Sequence, residues 1–124
     1  MRRRIKHLED DEQKNLFTWA NHYKQLKWMH AIPNGVFLHG DARGRAKQMH
    51  RLKSQGLTPG VWDIFLPEPL HGYHGLYIEM KIGKNTLSDK QESFGDHVHN
   101  KGYLTHVCYG WLEAKQVISD YMGI

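Results

Sequence analysis

At 124 residues the chain is long enough for one domain, residues 1–124, built around one core. Hydrophobic residues make up 40%, enough to fold, yet no apolar run nears the length of a membrane span, and a lone cysteine, Cys108, excludes an intramolecular disulfide or a Cys-based zinc site. No apolar signal region follows the basic start Met1-Arg2-Arg3-Arg4, so a cytoplasmic domain with no membrane partner is expected. The charge is lopsided. Residues 1–56 carry 12 Lys/Arg against 5 Asp/Glu, and residues 57–124 carry 5 against 8, a balance of +7 beside −3. A basic half next to an acidic half suits a polyanion surface beside a carboxylate site, although a solvated basic face gives the same count.

A first helix is expected from Glu9 to about Trp28. The acidic run Glu9 to Glu12 suits its first turn, and Leu16, Trp19, Ala20 and Tyr23 recur at helical spacing. Ile32-Pro33-Asn34-Gly35 reads as a turn, with Val36-Phe37-Leu38 a possible short strand after it. Ala42 to Gln55 reads as a helix with a thin apolar stripe, Ala46, Met49 and Leu52, among five basic residues: Arg43, Arg45, Lys47, Arg51 and Lys53. Val61 to Leu66 is a short apolar run broken by Asp63 and ended by Pro67 and Pro69. His71 to Gly75 reads as a turn. Leu76 to Ile82 then alternates, with Leu76, Ile78, Met80 and Ile82 on one face and Tyr77, Glu79 and Lys81 on the other. Ser88 opens a helix with Gln91 three residues on, a capping-box spacing, and Gly102 ends it. Tyr103 to Tyr109 reads as a strand and Trp111 to Met122 as a closing amphipathic helix. This order predicts an α/β domain with a mixed sheet.

The chemistry concentrates in Pro59-Gly60-Val61-Trp62-Asp63 and, sixteen residues after the aspartate, Glu79-Met80-Lys81. Glu79 and Lys81 share a strand face, and Asp63 reaches the same place if its strand pairs with theirs. Two carboxylates at close range repel unless a cation lies between them, and oxygen ligands suit magnesium or manganese. Such a cation activates a water, and Lys81 can position that water or offset charge on a phosphate. A surface Glu–Lys pair worth little is the alternative for Glu79 and Lys81. A carboxylate inside an apolar strand, as Asp63 is, weighs against it. Gln91 shares a helix face with Phe94 and Val98 and so points inward; local capping with Ser88 is its other reading.

The histidines make no metal pair by spacing: His97 and His99 face different sides of a helix, and His71 and His74 lie in a glycine loop. His39 beside the basic helix suits a surface role or a DNA contact. Cys108 suits a buried small hydrophobe. Trp19 and Trp111 fit core faces, and Trp28 and Tyr73 suit core or rim packing, or stacking on a base.

Taken together, Glu9 with Gln13, Ile32-Pro33-Asn34-Gly35, the basic helix ending Leu52-Lys53-Ser54-Gln55-Gly56, Pro59 to Ile64, Gly75 to Lys81 and Leu87-Ser88-Asp89-Lys90-Gln91 resemble, in order, the VRR-NUC domain, the virus-type replication-repair nuclease branch of the PD-(D/E)XK superfamily. The likeness runs from Glu9 to about Tyr121 and is closest to the stand-alone form of phages and bacteria. It implies a restriction-endonuclease-like PD-(D/E)XK core, a central mixed β-sheet flanked by helices. It implies Asp63 and Glu79 as metal ligands with the Met80 backbone carbonyl, Lys81 as the catalytic lysine, Gln91 as a supporting glutamine, and Glu9 as an acid near the metal. Glu12 is a rival for that last role. Trp62 stands where many members have proline.

The expected function is a Mg²⁺- or Mn²⁺-dependent DNA endonuclease, with Arg43, Arg45, Lys47, Arg51 and Lys53 gripping the DNA backbone. Stand-alone members resemble dimeric junction resolvases, so a homodimer cutting branched DNA is the preferred reading. A flap or duplex nuclease of phage replication or repair is the alternative within enzymes. A basic DNA-binding module with a vestigial site is the contrasting class, and the joint presence of Asp63, Glu79, Lys81 and Gln91 weighs against it. No RNA-reading motif is visible.

Overall fold

The computed structural model describes residues 2–33 and 38–124. Helix α1 spans Arg2–Ala20, and a single 3-10 turn, Lys24–Leu26, leads to strand β1, His30–Ala31. Helix α2 (Ala42–Ser54), strand β2 (Ile64–Leu66), strand β3 (Leu76–Lys81), helix α3 (Asp89–Asn100), strand β4 (Leu104–Tyr109) and helix α4 (Trp111–Met122) follow. The strands form one mixed sheet in the order β1-β2-β3-β4. The first two pairings are antiparallel, and β3 runs parallel to β4 through the α3 crossover. This is the α/β architecture expected, a mixed sheet flanked by helices.

The first helix departs from the sequence reading at both ends. It starts at Arg2, ahead of the acidic run, and Lys6 of the added turns pairs with Asp10 one turn on at 3.4 Å. The acidic residues therefore lie mid-helix rather than in the first turn. It ends at Ala20, where the His22 ring lies 3.0 Å from the Thr18 carbonyl and 3.3 Å from that of Trp19, covering acceptors the helix end leaves over. Leu26 and Met29 then enter the core from beyond the helix. Strand β1 is too short for periodicity to reveal. Ile32, Pro33 and Leu38 belong to no helix or strand, and the rest of the expected turn and strand, Asn34 to Phe37, lies outside the described residues.

Alternation along the strands divides the sheet into two chemical faces. Ile64, Leu66, Leu76, Ile78, Met80 and Cys108 point toward α1 and α4 and pack with Leu16, Ala20, Ala114, Ile118 and Tyr121 as the main core. Burial pushes the Cys108 thiol up to about 12, with Glu113 adding to the effect, so this cysteine is an inert core residue. The opposite face carries Asp63, Phe65, Tyr77, Glu79 and Lys81. There Phe65 and Tyr77 stack with ring centres 4.5 Å apart, and Tyr77 meets Phe94 of α3 edge-on at 5.3 Å. These rings seat α3 on the sheet and leave the Asp63 end of the face for polar groups.

Helix α3 is fixed from below by Trp62, which is 3% exposed. Its indole N–H donates to the Gln91 backbone carbonyl at 2.8 Å. The ring lies so close to Gly95 that a Cβ there would come within 2.5 Å of Trp62 Cζ2. Gly60, with φ +96°, brings the chain under α3 in a conformation that other residues resist, and a Cβ there would meet the Lys90 backbone at 2.7 Å. The Trp62 ring and its indole N–H thus fasten the helix to the sheet.

Candidate active site

The site forms where β2 and β3 stop pairing as a regular ladder. Ile64 lies opposite Ile78, so Asp63 falls opposite Glu79. At that rung the side chains replace the backbone acceptors. The Asp63 N–H donates to Glu79 Oε1 at 3.2 Å, and the Met80 N–H donates to Asp63 Oδ2 at 2.9 Å. Each carboxylate is therefore held by the other strand's backbone. The Asp63 carbonyl accepts from the Ile32 N–H at 2.7 Å, which ties the same residue to the β1 side. The strand β2 expected from Val61 is short for this reason, with the ladder beginning only at Ile64.

Glu79 is the hub. Besides the Asp63 N–H, it accepts from Gln91 Nε2 at 3.1 Å on Oε2, and Lys81 Nζ stands 3.8 Å from the same oxygen. Glu79 is 3% exposed and Lys81 8%, which removes the reading of a surface ion pair. Burial first, and then the charge of Asp63, push the Glu79 carboxyl up to about 9; Lys81 pulls the other way. Burial likewise raises Asp63, partly offset by the Met80 N–H. Two carboxylates crowded beside Lys81, with Lys6 also acting on Asp63, do not readily both hold their charge unless a further cation joins them.

Glu9 of α1 belongs to the same electrostatic group. Burial raises its carboxyl; Lys81 opposes the rise and Asp63 adds to it. The Asn85 side chain hydrogen-bonds Glu9 and favours its charged form. Asn85 itself is held by the Tyr109 hydroxyl, which donates to its carbonyl at 2.7 Å. Glu12 is engaged elsewhere. Its Oε2 accepts from the Trp111 N–H at 3.1 Å, capping a helix whose own N-cap, Gly110, has no side chain to offer. Of the two acids that compete in sequence, Glu9 is the one whose charge is felt at the site.

Gln91 reconciles its two readings. Its Oε1 accepts from the Ser88 N–H at 3.0 Å and its N–H donates to Ser88 Oγ at 3.2 Å, completing the capping box, while its Nε2 serves Glu79. Asn85, Trp62 and the Ser88 N–H are contributors the sequence reading missed as site residues. Residue type and spacing do not mark Asn85 or Trp62, which act through fold-dependent contacts, and the capping spacing marks Ser88 only as a helix start.

The five basic residues stand apart on α2. Arg43, Arg45, Lys47, Arg51 and Lys53 are all exposed, and the helix buries no residue. At about 100° per residue they spread around most of its circumference. Asp41 caps its start by accepting from the Gly44 N–H at 2.8 Å, and Gln48 clasps the backbone of His39. Tyr73 packs against the core, whereas Trp28 is 70% exposed.

The donor set at Asp63 and Glu79 is all oxygen, crowded and anionic, and so it fits a hard divalent cation such as Mg²⁺ or Mn²⁺. Among the described residues no cluster of three His, Cys, Asp or Glu side chains gathers to hold a metal. A cation here would need backbone carbonyl or water to complete its shell. Among the described residues no helix is long and apolar enough to cross a membrane.

Comparison with known proteins agrees with this architecture. The model of the VRR-NUC domain matches residues 8–111. A solved structure described as a VRR-NUC domain protein superposes with a TM-score of 0.77 at 22% identity, covering 94% of this chain and 88% of its own. No curated protein matches the sequence. With the family match spanning most of the chain, the protein belongs to the VRR-NUC domain family, nuclease domains of the PD-(D/E)XK type.

Proposed function

We propose that this protein is a divalent-metal-dependent DNA endonuclease that cuts branched DNA as a homodimer. The observation that carries the reading is the buried Asp63–Glu79–Lys81 group, with each carboxylate pinned by the other strand's backbone. Two carboxylates crowded in a buried place, each pushed toward its neutral form, cost stability unless they serve a ligand such as a cation.

In this reading Asp63, Glu79 and the Met80 carbonyl hold Mg²⁺ or Mn²⁺. When bound, the ion neutralises the scissile phosphate and makes a water nucleophilic at neutral pH. Lys81 offsets the charge that grows on the phosphate as the attacking oxygen adds. Gln91 holds Glu79 in the orientation that binds the ion, and Glu9, steadied by Asn85, orients the outer waters. Arg43, Arg45, Lys47, Arg51 and Lys53 pair with backbone phosphates without reading sequence. One chain contributes one such site, and resolving a four-way junction needs two incisions, which a two-fold dimer supplies.

A flap or duplex nuclease is the second reading. It is favoured by the spread of charge around α2, which suits backbone phosphates in any DNA shape. Cleavage of labelled four-way junction, flap and linear duplex in Mg²⁺ or Mn²⁺, with sedimentation to give the oligomeric state, separates the two. Paired symmetric nicks on the junction by a dimer support the proposal. Equal rates on linear duplex, or a monomer at cleaving concentrations, overturn the junction reading while keeping the nuclease. DNA binding without cleavage points to a vestigial site.

A further inference from the structure

We propose that Ser88 is a positioning residue: its backbone N–H sets the polarity of the Gln91 side-chain amide, and so fixes which end of that amide faces Glu79. The inference rests on the nuclease reading above and assigns a role to a residue outside the carboxylate–lysine group.

The argument is one of donors and acceptors. An amide end group has one accepting end and one donating end, and it can flip between them. Gln91 Oε1 accepts from the Ser88 N–H at 3.0 Å, and Gln91 Nε2 donates to Glu79 Oε2 at 3.1 Å. A backbone N–H only donates, so it accepts no substitute for the oxygen. Flipped, the amide would set NH₂ against the exposed Ser88 N–H and its carbonyl oxygen against the ionised Glu79 carboxylate, breaking both hydrogen bonds and facing two acceptors at the part-buried end. The same logic explains the residue type. Glutamate would satisfy the Ser88 N–H but add a third carboxylate beside Glu79. Lysine would donate to Glu79 but leave the exposed Ser88 N–H to water, with nothing to tie the side chain to the helix start. Glutamine does both.

The latch is built on a fixed base. Ser88 Oγ holds the Gln91 N–H, and the Trp62 indole holds the Gln91 carbonyl at 2.8 Å, so the first turn of α3 has little freedom to shift. Glu79 is thereby held on both oxygens, Oε1 by the Asp63 N–H and Oε2 by the latched amide. Partners that orient a metal-binding carboxylate in this way typically change metal affinity by about 10- to 100-fold when removed.

The test uses the full chain. Ser88→Pro removes the N–H, and the φ of −70° at this position suits proline. Ser88→Ala removes the hydroxyl but keeps the N–H. Side-chain NH₂ resonances of Gln91 are followed by NMR, and Mn²⁺ binding by calorimetry, in both variants and in a Gln91→Met background. The expected result is a widely separated, slowly exchanging Gln91 NH₂ pair in the wild type and in Ser88→Ala, collapsed in Ser88→Pro. Mn²⁺ affinity should fall about tenfold or more in Ser88→Pro, with no further fall when Ser88→Pro is added to Gln91→Met. An unchanged NH₂ pair in Ser88→Pro, or an equal loss of affinity in the Gln91→Met background, overturns the proposal. Should Ser88→Pro fail to fold, Gln91→Met decides, since it must speed solvent exchange of the Ser88 N–H, and unchanged exchange overturns the latch. A wild type that takes up no Mn²⁺ removes the nuclease reading, while the amide resonances still decide the latch.

Discussion

Glu9 and Glu12 lie three residues apart on one helix, yet their surroundings assign them opposite roles. Glu12 accepts from the Trp111 N–H and caps α4, so Glu12→Ala should lower stability by about 1 kcal/mol with cleavage kept at temperatures where the variant is folded. Glu9 senses Asp63 and Lys81, so Glu9→Ala should leave the melting temperature nearly unchanged and slow cleavage about tenfold or more. Thermal melts and single-turnover rates on the two variants check this crossed pattern, and a reversed pattern would exchange the roles. The sequence left this pair open because both acids sit in one acidic run, and only the packing of α1 on α4 tells them apart. The group of Asp63, Glu79, Lys81 and Gln91 was legible, because strand alternation and a capping spacing are local rules that the fold obeys. Asn85 was not, since a loop amide acquires its partner on α1 only when distant elements meet, and the capping spacing of Ser88 and Gln91 was legible without showing that the same amide reaches Glu79.

At the scale of elements, α3 is the part whose placement matters most for the site, because it carries Gln91 to Glu79. Its seat is the contact of Gly95 with the Trp62 ring. Gly95→Ala would drive a Cβ to 2.5 Å from Trp62 Cζ2, so the variant should lose about 1–3 kcal/mol and also bind Mn²⁺ more weakly as Gln91 is displaced. Denaturant unfolding and calorimetry measure the two effects; a loss of stability with unchanged Mn²⁺ affinity would show that the helix can shift without moving the amide. Helices α2, α3 and α4 and strand β3 were placed from sequence to within about a residue or two, because caps, glycine stops and alternation mark their ends. The ends of α1 were not. Periodicity in Leu16, Trp19, Ala20 and Tyr23 continues through a bend, so the apolar spacing outlasts the helix itself. The two-residue β1 exists only by pairing with β2, and no local pattern of that length distinguishes a strand.

The whole molecule combines a buried carboxylate site with an exposed basic helix, and these two parts should separate in function. Replacing Arg51 and Lys53 by glutamine should weaken DNA binding and reduce the slope of log affinity against log salt by about 0.9 for each phosphate that is no longer neutralised, with the rate at saturating DNA unchanged. Binding titrations between low and moderate salt measure the slope, and an unchanged slope would take α2 out of the interface. The most direct measurement of the central claim is single-turnover cleavage of a labelled four-way junction by wild type and Lys81→Ala, in Mg²⁺, Mn²⁺ and EDTA. The account predicts metal-dependent hydrolysis by the wild type, abolished by EDTA and slowed about 100-fold or more in the variant, with DNA affinity near wild type and rates compared below the lowered melting temperature of the variant. Cleavage by Lys81→Ala at the wild-type rate, or a wild type that binds the junction and cuts it under neither metal, would contradict it.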